Sequence, residues 1–161
     1  MASLFETVTD IAAQADRLRS RRYGVIEVVD GELHSVRLRP FPKIVTAIGP
    51  RLFGERTHRH QPGDWCRLYY NQPLRHSNFL AVTYVVSSRD CTLQTFRQAT
   101  RLLDRIAEIK RTDALLCDVA NSRISDRLLE RWGWEAHCPQ AWHRNFIKRF
   151  YGVYPGSTPA C

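Results

Sequence analysis

The sequence predicts an α/β protein, with one mixed sheet and helices packed on it in a single domain. Three observations carry this prediction. An Asp30-Gly31 step joins two β-rich runs, as an antiparallel hairpin needs. The order strand, long helix, strand, short helix, strand over residues 79–151 asks for crossover connections and parallel pairing. A chain of 161 residues, 43% apolar and 25% charged, is long enough to bury one core in globular proportions.

In chain order, Leu4, Val8, Ile11, Ala15 and Leu18 recur with helical spacing and predict an amphipathic helix over residues 3–20. Arg17, Arg19, Arg21 and Arg22 gather at its C-terminal end, where the helix dipole favours cations. The hairpin over residues 23–29 and 32–39 follows, and Pro40-Phe41-Pro42 breaks its second strand. Residues 44–48 suggest a further strand. Gly49, Pro50, Gly54, Pro62 and Gly63 then make 49–64 loop-rich, and 65–70 reads as another strand before a turn at 71–73.

The run 79–86 is apolar and β-branched enough for a buried central strand. Leu93, Phe96, Ala99, Leu103, Ile106 and Ala107 mark the longest helix, over 92–110, closed by Lys110 and Arg111. After an apolar strand at 114–119, Asn121 stands where an N-cap would, and Ile124, Leu128 and Trp132 form one stripe down a helix of about three turns. Gly133 falls just past that stripe, the place of a left-handed C-cap. In the last strand, 142–151, charged and aromatic residues share both faces, which predicts an edge or near-edge position. One domain over 1–154 and a flexible tail over 155–161 are expected.

Net charge is +8, and residues 37–75 hold most of it, with eight basic side chains against two acids. Such a segment attracts an anion, either nucleic acid or the phosphates of a cofactor. Cysteines 66, 91, 117, 138 and 161 form an odd set without CxxC spacing, so no disulfide framework is predicted and a reducing cytoplasm fits best. No signal-peptide pattern and no apolar run of membrane-spanning length is visible. His58 and His60 lie in a loop-like stretch whose spacing matches no closed tetrahedral site, so no metal centre is expected.

From Phe79 to about Tyr151 the chain resembles the GNAT N-acetyltransferase superfamily. The matching pieces are FLAVTYVV, the helix 92–110, ALLCDV, Asn121, and Gly133-Trp134 in place of the usual Gly-Phe. The resemblance implies acyl transfer from acetyl-CoA or another acyl-CoA to an amine acceptor. It also implies that backbone N–H groups near Val85 and Val86, at the splayed end of the central strand, polarise the thioester carbonyl. Arg89, Thr92, Gln94 and Asn121 would lie along the donor. Tyr84, His76 and His143 are general-base candidates by chemistry, Tyr84 and His143 being the two preferred.

Two departures stand out. Family members carry Gln/Arg-x-x-Gly-x-Gly/Ala before the long helix, where small residues let backbone N–H groups close on a diphosphate. This chain has Arg89-Asp90-Cys91-Thr92-Leu93-Gln94, with the Arg in place and neither small residue. The short-helix Tyr that protonates a departing thiolate in many members falls at Leu128 or Leu129. The alternative is therefore a catalytically silent domain that binds nucleic acid or an acidic partner through residues 37–75.

Overall fold

Asp30 and Gly31 both take positive φ, 51° and 79°, the type I′ geometry that a two-residue hairpin between twisted strands requires. They do so in a computed structural model that describes residues 5–42, 62–119, 124–137 and 144–156. The turn joins β2 (Tyr23–Val29) to β3 (Glu32–Arg39), with the bounds the sequence predicts. A short strand β1 (Glu6–Val8) and helix α1 (Ala15–Ser20) precede them. β4 (Trp65–Asn71), β5 (Phe79–Ser87), α2 (Leu93–Lys110) and β6 (Ala114–Asp118) follow. The chain then forms α3 (Asp126–Arg131), β7 (Glu135–Ala136) and β8 (Asn145–Arg149). The strands form one eight-stranded mixed sheet in the order β1-β3-β2-β4-β5-β6-β8-β7, so the predicted fold class holds.

The N-terminal helix is shorter than its periodicity suggests. Residues 6–8 pair with Val36–Leu38 of β3 as a strand, and only 15–20 are helical. Thr7, Val8 and Thr9 are a β-branched run that loses side-chain freedom in a helix, and β3 offers its free edge to satisfy their backbone. Between the two elements the Gln14 amide oxygen accepts from the backbone of Thr9 and Asp10, and Asp10 Oδ1 accepts from Ala13 N at 2.9 Å. Val8, Ile11 and Leu18 are buried all the same, because strand, turn and helix direct them to one core. Lys110 Nζ ties α1 to the end of α2 by donating to the carbonyls of Arg19 and Arg21 and to Gln72 Oε1.

The C-terminal half departs in three places. β5 and β6 pair in parallel, but β8 returns as the partner of β7 and inserts antiparallel to β6, so a second parallel crossover does not form. The cap of α3 is Ser125, whose hydroxyl accepts from Leu128 N, and the helix has six residues, with Ile124 before it. Its end matches the expectation. Gly133 takes φ +87°, Gly133 N donates to Glu130 O and Trp134 N to Leu129 O, a Schellman closure with Leu129 and Trp134 both buried. β8 is next to the edge strand, as predicted, and shorter than 142–151. The expected strand 44–48, together with His58, His60, Asn121 and His143, lies outside the described residues.

The mixed polarity of β8 has a specific cause. Lys148 is 6% exposed and its Nζ lies 2.8 Å and 3.0 Å from the two carboxylate oxygens of Asp104, itself 3% exposed on α2. Burial pushes the Asp104 carboxyl up, and the hydrogen bonds from Lys148 hold it back. Gly133 brings α3 against the Lys148 stem, where a Cβ would sit 3.4 Å from Cε. Helices α1, α2 and α3 share a core with Ile26, Val28, Leu68, Leu80 and Leu115, on one face of the sheet.

Replacing Lys148 by Met strands a buried carboxylate and should cost about 3–5 kcal/mol in denaturant unfolding. The double variant Asp104→Leu/Lys148→Met should recover most of that. Gly24 lies opposite Tyr70 in the sheet, and an added Cβ would come within 2.5 Å of the Tyr70 ring. Gly24→Ala should therefore cost about 1–3 kcal/mol. The Tyr70 hydroxyl is buried without a hydrogen-bond partner, so Tyr70→Phe should be neutral or stabilising by the same measurement.

Candidate functional site

β5 is the strand that opens the sheet. Its register with β4 slips between Tyr69/Tyr84 and Tyr70/Val82, so Thr83 is an extra, bulged residue, and its hydroxyl donates to Tyr69 O at 3.4 Å. At the same point β5 leaves β6. The last register pair is Val82↔Cys117, whereas β5 runs on to Ser87 still paired with β4. A cleft of about 340 Å³ lies at this parting, lined by Ala81 and Val82 of β5, Leu116, Cys117 and Asp118 of β6, and His137, Asn145 and Phe146. The bulge re-aims the strand, and the divergence leaves residues 83–87 without a β6 neighbour.

The expected donor residues divide into two groups. Val85 and Val86 lie on β5 past its last register pair with β6, opposite Leu68 and Arg67 of β4; Val86 is buried and Val85 is 37% exposed. The strand is thus central in the sheet but not buried throughout. Arg89 is exposed in the turn after β5. Thr92 caps α2, and its hydroxyl accepts from Thr95 N. Gln94 turns away, its amide lying against Gly31 of the hairpin, 3.1 Å from where a Cβ would be. Tyr84 packs on Tyr69 with ring centroids 5.8 Å apart and is not among the cleft-lining residues. His76 precedes β5, near Phe79 and at the opposite end of the strand from Arg89.

The residue whose role at α2 the sequence did not signal is Asp64. From just before β4 its carboxylate reaches the start of α2. Oδ1 accepts from Thr92 N at 2.8 Å, and Oδ2 accepts from the hydroxyls of Thr92 at 2.9 Å and Thr95 at 2.7 Å. Burial pushes this carboxyl up, but the bonds from the Thr92 backbone and from Thr95 and Thr92 outweigh it and hold it below its usual range. An anion thus already sits where the helix dipole and backbone N–H groups attract one. His137, Asp118 and Asn145 were missed as cleft residues too. Their only sequence signal is position at strand ends.

A second hollow, about 230 Å³, lies among Phe5, Val25, Arg37, Arg39 and Tyr69. Val25 and Glu27 alternate with the core residues Ile26 and Val28, so this is the sheet face away from α2. The Arg39 guanidinium stands 5.9 Å from the Tyr69 ring centre, while Glu27 takes Arg67 at 3.3 Å and Arg37 at 3.6 Å. Among the described residues no group of three or more His, Cys, Asp or Glu could hold a metal ion, and no helix is long and apolar enough to cross a membrane.

No protein-family model and no curated protein sequence matches the chain. A solved structure titled "Crystal structure of Nourseothricin acetyltransferase" is similar over 91% of this chain and 99% of that one, at 12% sequence identity and a TM-score of 0.45.

Asp64→Ala should cost about 1–2 kcal/mol in thermal or denaturant unfolding, the usual worth of a helix cap. The native carboxyl titrates below its unfolded value of 3.8, so its contribution is present above that pH. The gap between wild type and variant should close as pH falls through the lower native value.

Proposed function

We propose that the chain is a GNAT-like acyltransferase that moves an acyl group from acyl-CoA to an amine acceptor in the cleft between β5 and β6. The observation that supports this reading is the coincidence of the Thr83 bulge, the parting of β5 from β6 after Val82↔Cys117, and the cleft at that parting. A thioester arm laid into the gap would continue the sheet in place of the missing β6 pairs. Main-chain N–H groups of the Val85–Val86 stretch would then donate to the thioester oxygen as negative charge builds on it.

In this reading the acceptor amine, once neutral, attacks the thioester carbon. The C–N bond forms, the tetrahedral intermediate collapses, the C–S bond breaks, and the thiolate leaves and takes up a proton. His137 is the cleft side chain best suited to accept the proton of an arriving ammonium, and Asp118 adds a carboxylate to the same lining. Tyr84 and His143 remain the sequence-based candidates for the same proton. Arg89 would meet the donor's phosphates from the turn before α2. Asp64 opposes them there, which makes donor binding weak until that carboxylate moves.

A second reading has its own observation. Arg37 and Arg39 border an open hollow with Tyr69 on the sheet face away from α2, as a catalytically silent domain that binds nucleic acid or another acidic partner would need.

The thermal midpoint should rise with millimolar acetyl-CoA and with coenzyme A, and not with ATP at equal concentration. Asp64→Ala, which lifts like-charge repulsion at α2, should enlarge the shift with the two CoA compounds. No shift in either protein, or an equal shift with ATP, would remove the acyltransferase reading. Salt-sensitive retention of wild type on single-stranded nucleic acid, lost in Arg37→Ala/Arg39→Ala, would then establish the second.

A further inference from the structure

Two thiols come together at the foot of α2, neither of them in the lining of the cleft. Cys66 on β4 is fully buried and lies opposite Ser87 of β5. The turn beyond β5 folds back over it. Ser88 N donates to Trp65 O at 3.0 Å, Trp65 N donates to Ser88 Oγ at 3.2 Å, and Cys91 N donates to Ser88 O at 3.2 Å. That fold-back carries Cys91, which is half-buried, toward Cys66; the Cys91 Sγ lies 3.6 Å from Thr92 O, and the two sulfurs are near enough to shift each other's titration. Cys66 belongs to the buried core cluster under α2, Cys91 packs against that cluster, and both are free thiols.

We infer that Cys91 and Cys66 form a peroxide-reactive pair, with Cys91 as the attacking sulfur and Cys66 as the resolving one, closing to a disulfide that fastens the 88–91 turn to β4.

The environments of the two sulfurs differ in the direction this needs. The neighbouring Cys66 thiol lowers the Cys91 pKa and outweighs burial and the nearby Asp64 carboxylate, with the Phe96 backbone N–H helping. The same proximity and burial push Cys66 up, so Cys66 keeps its proton. Cys91 also stands just before the N-terminus of α2, whose dipole favours a thiolate. Cys117 is the contrast, a thiol that burial pushes up to about 12.

The chemistry balances with a hydroperoxide as oxidant. The Cys91 thiolate attacks one peroxide oxygen, the O–O bond breaks, and hydroxide leaves and is protonated to water. Cys91 is then a sulfenic acid. The Cys66 sulfur attacks the Cys91 sulfur, the S–O bond breaks, and the departing hydroxyl takes the Cys66 proton as a second water. Two thiols are oxidised and one peroxide is reduced. Closure needs the two sulfurs at bonding distance, and the 88–91 turn that carries Cys91 is the segment that would move.

The test is peptide mapping by mass spectrometry of the full-length protein after brief exposure to about one equivalent of hydrogen peroxide, quenched by alkylation. A Cys66–Cys91 cross-linked peptide should form at least about tenfold faster than any oxidation of Cys117, and a dithiol reductant should reverse it. In Cys66→Ser the resolving sulfur is gone, so dimedone should trap a sulfenic acid at Cys91. Reduced Cys91 in wild type after other cysteines have oxidised, or a disulfide from Cys91 to a different cysteine, would overturn the inference. If Cys66→Ser fails to fold, the wild-type map decides alone.

Discussion

A carboxylate and an ammonium taken out of water together are tolerable only while each holds the other, and the Asp104–Lys148 pair places that constraint in the middle of this fold. Asp104 comes from the long helix that packs on β2, β3 and β4, and Lys148 from β8 on the far side of β6. Neither end can shift without exposing or stranding a charge. The pair therefore fixes where β8 lies against β6, and with it one wall of the cleft. Gly133 belongs to the same arrangement, because the closing turn of α3 rests on the Lys148 stem.

With that wall fixed, the opening is set by β5. One bulged residue changes the direction of the strand, and its partner β6 ends while β5 goes on. That parting of the strands opens the cleft beside β5, which is the physical reason to look for a ligand there. The start of α2 shows the opposite state. Its attraction for anions is met by Asp64, with three hydrogen bonds from Thr92 and Thr95. Under the acyltransferase reading proposed above, Asp64 would have to move before a phosphate-bearing donor could meet this helix end. The paired thiols of Cys66 and Cys91 lie beside the same turn, so a covalent link there would stiffen the segment between the gap and the helix.

Much of the fold was legible because its signals are local. The Asp30-Gly31 turn, the α2 periodicity and the left-handed Gly133 each need only a few neighbouring residues, and each falls where expected. The N-terminal segment misled because Val8, Ile11 and Leu18 suit a helix stripe as well as a strand, turn and helix. The free edge of β3, distant in sequence, decided between them. Of the candidate site, the Val85–Val86 stretch was legible through the resemblance, but Gln94 was not, since only the folded hairpin brings Gly31 to meet it.

The sequence by itself determined the mixed α/β class, the β2–β3 hairpin, the long helix α2 and the order of the main elements, because periodicity and turn chemistry act over short range. Tertiary structure alone decided what those elements enclose. Asp64 reaches Thr92 across 28 residues and Asp104 reaches Lys148 across 44, and no local pattern encodes such meetings. A charged side chain in a sequence looks solvated until the fold removes its water. Only then does its partner become a necessity, and these two partnerships close the anion site and hold the cleft wall.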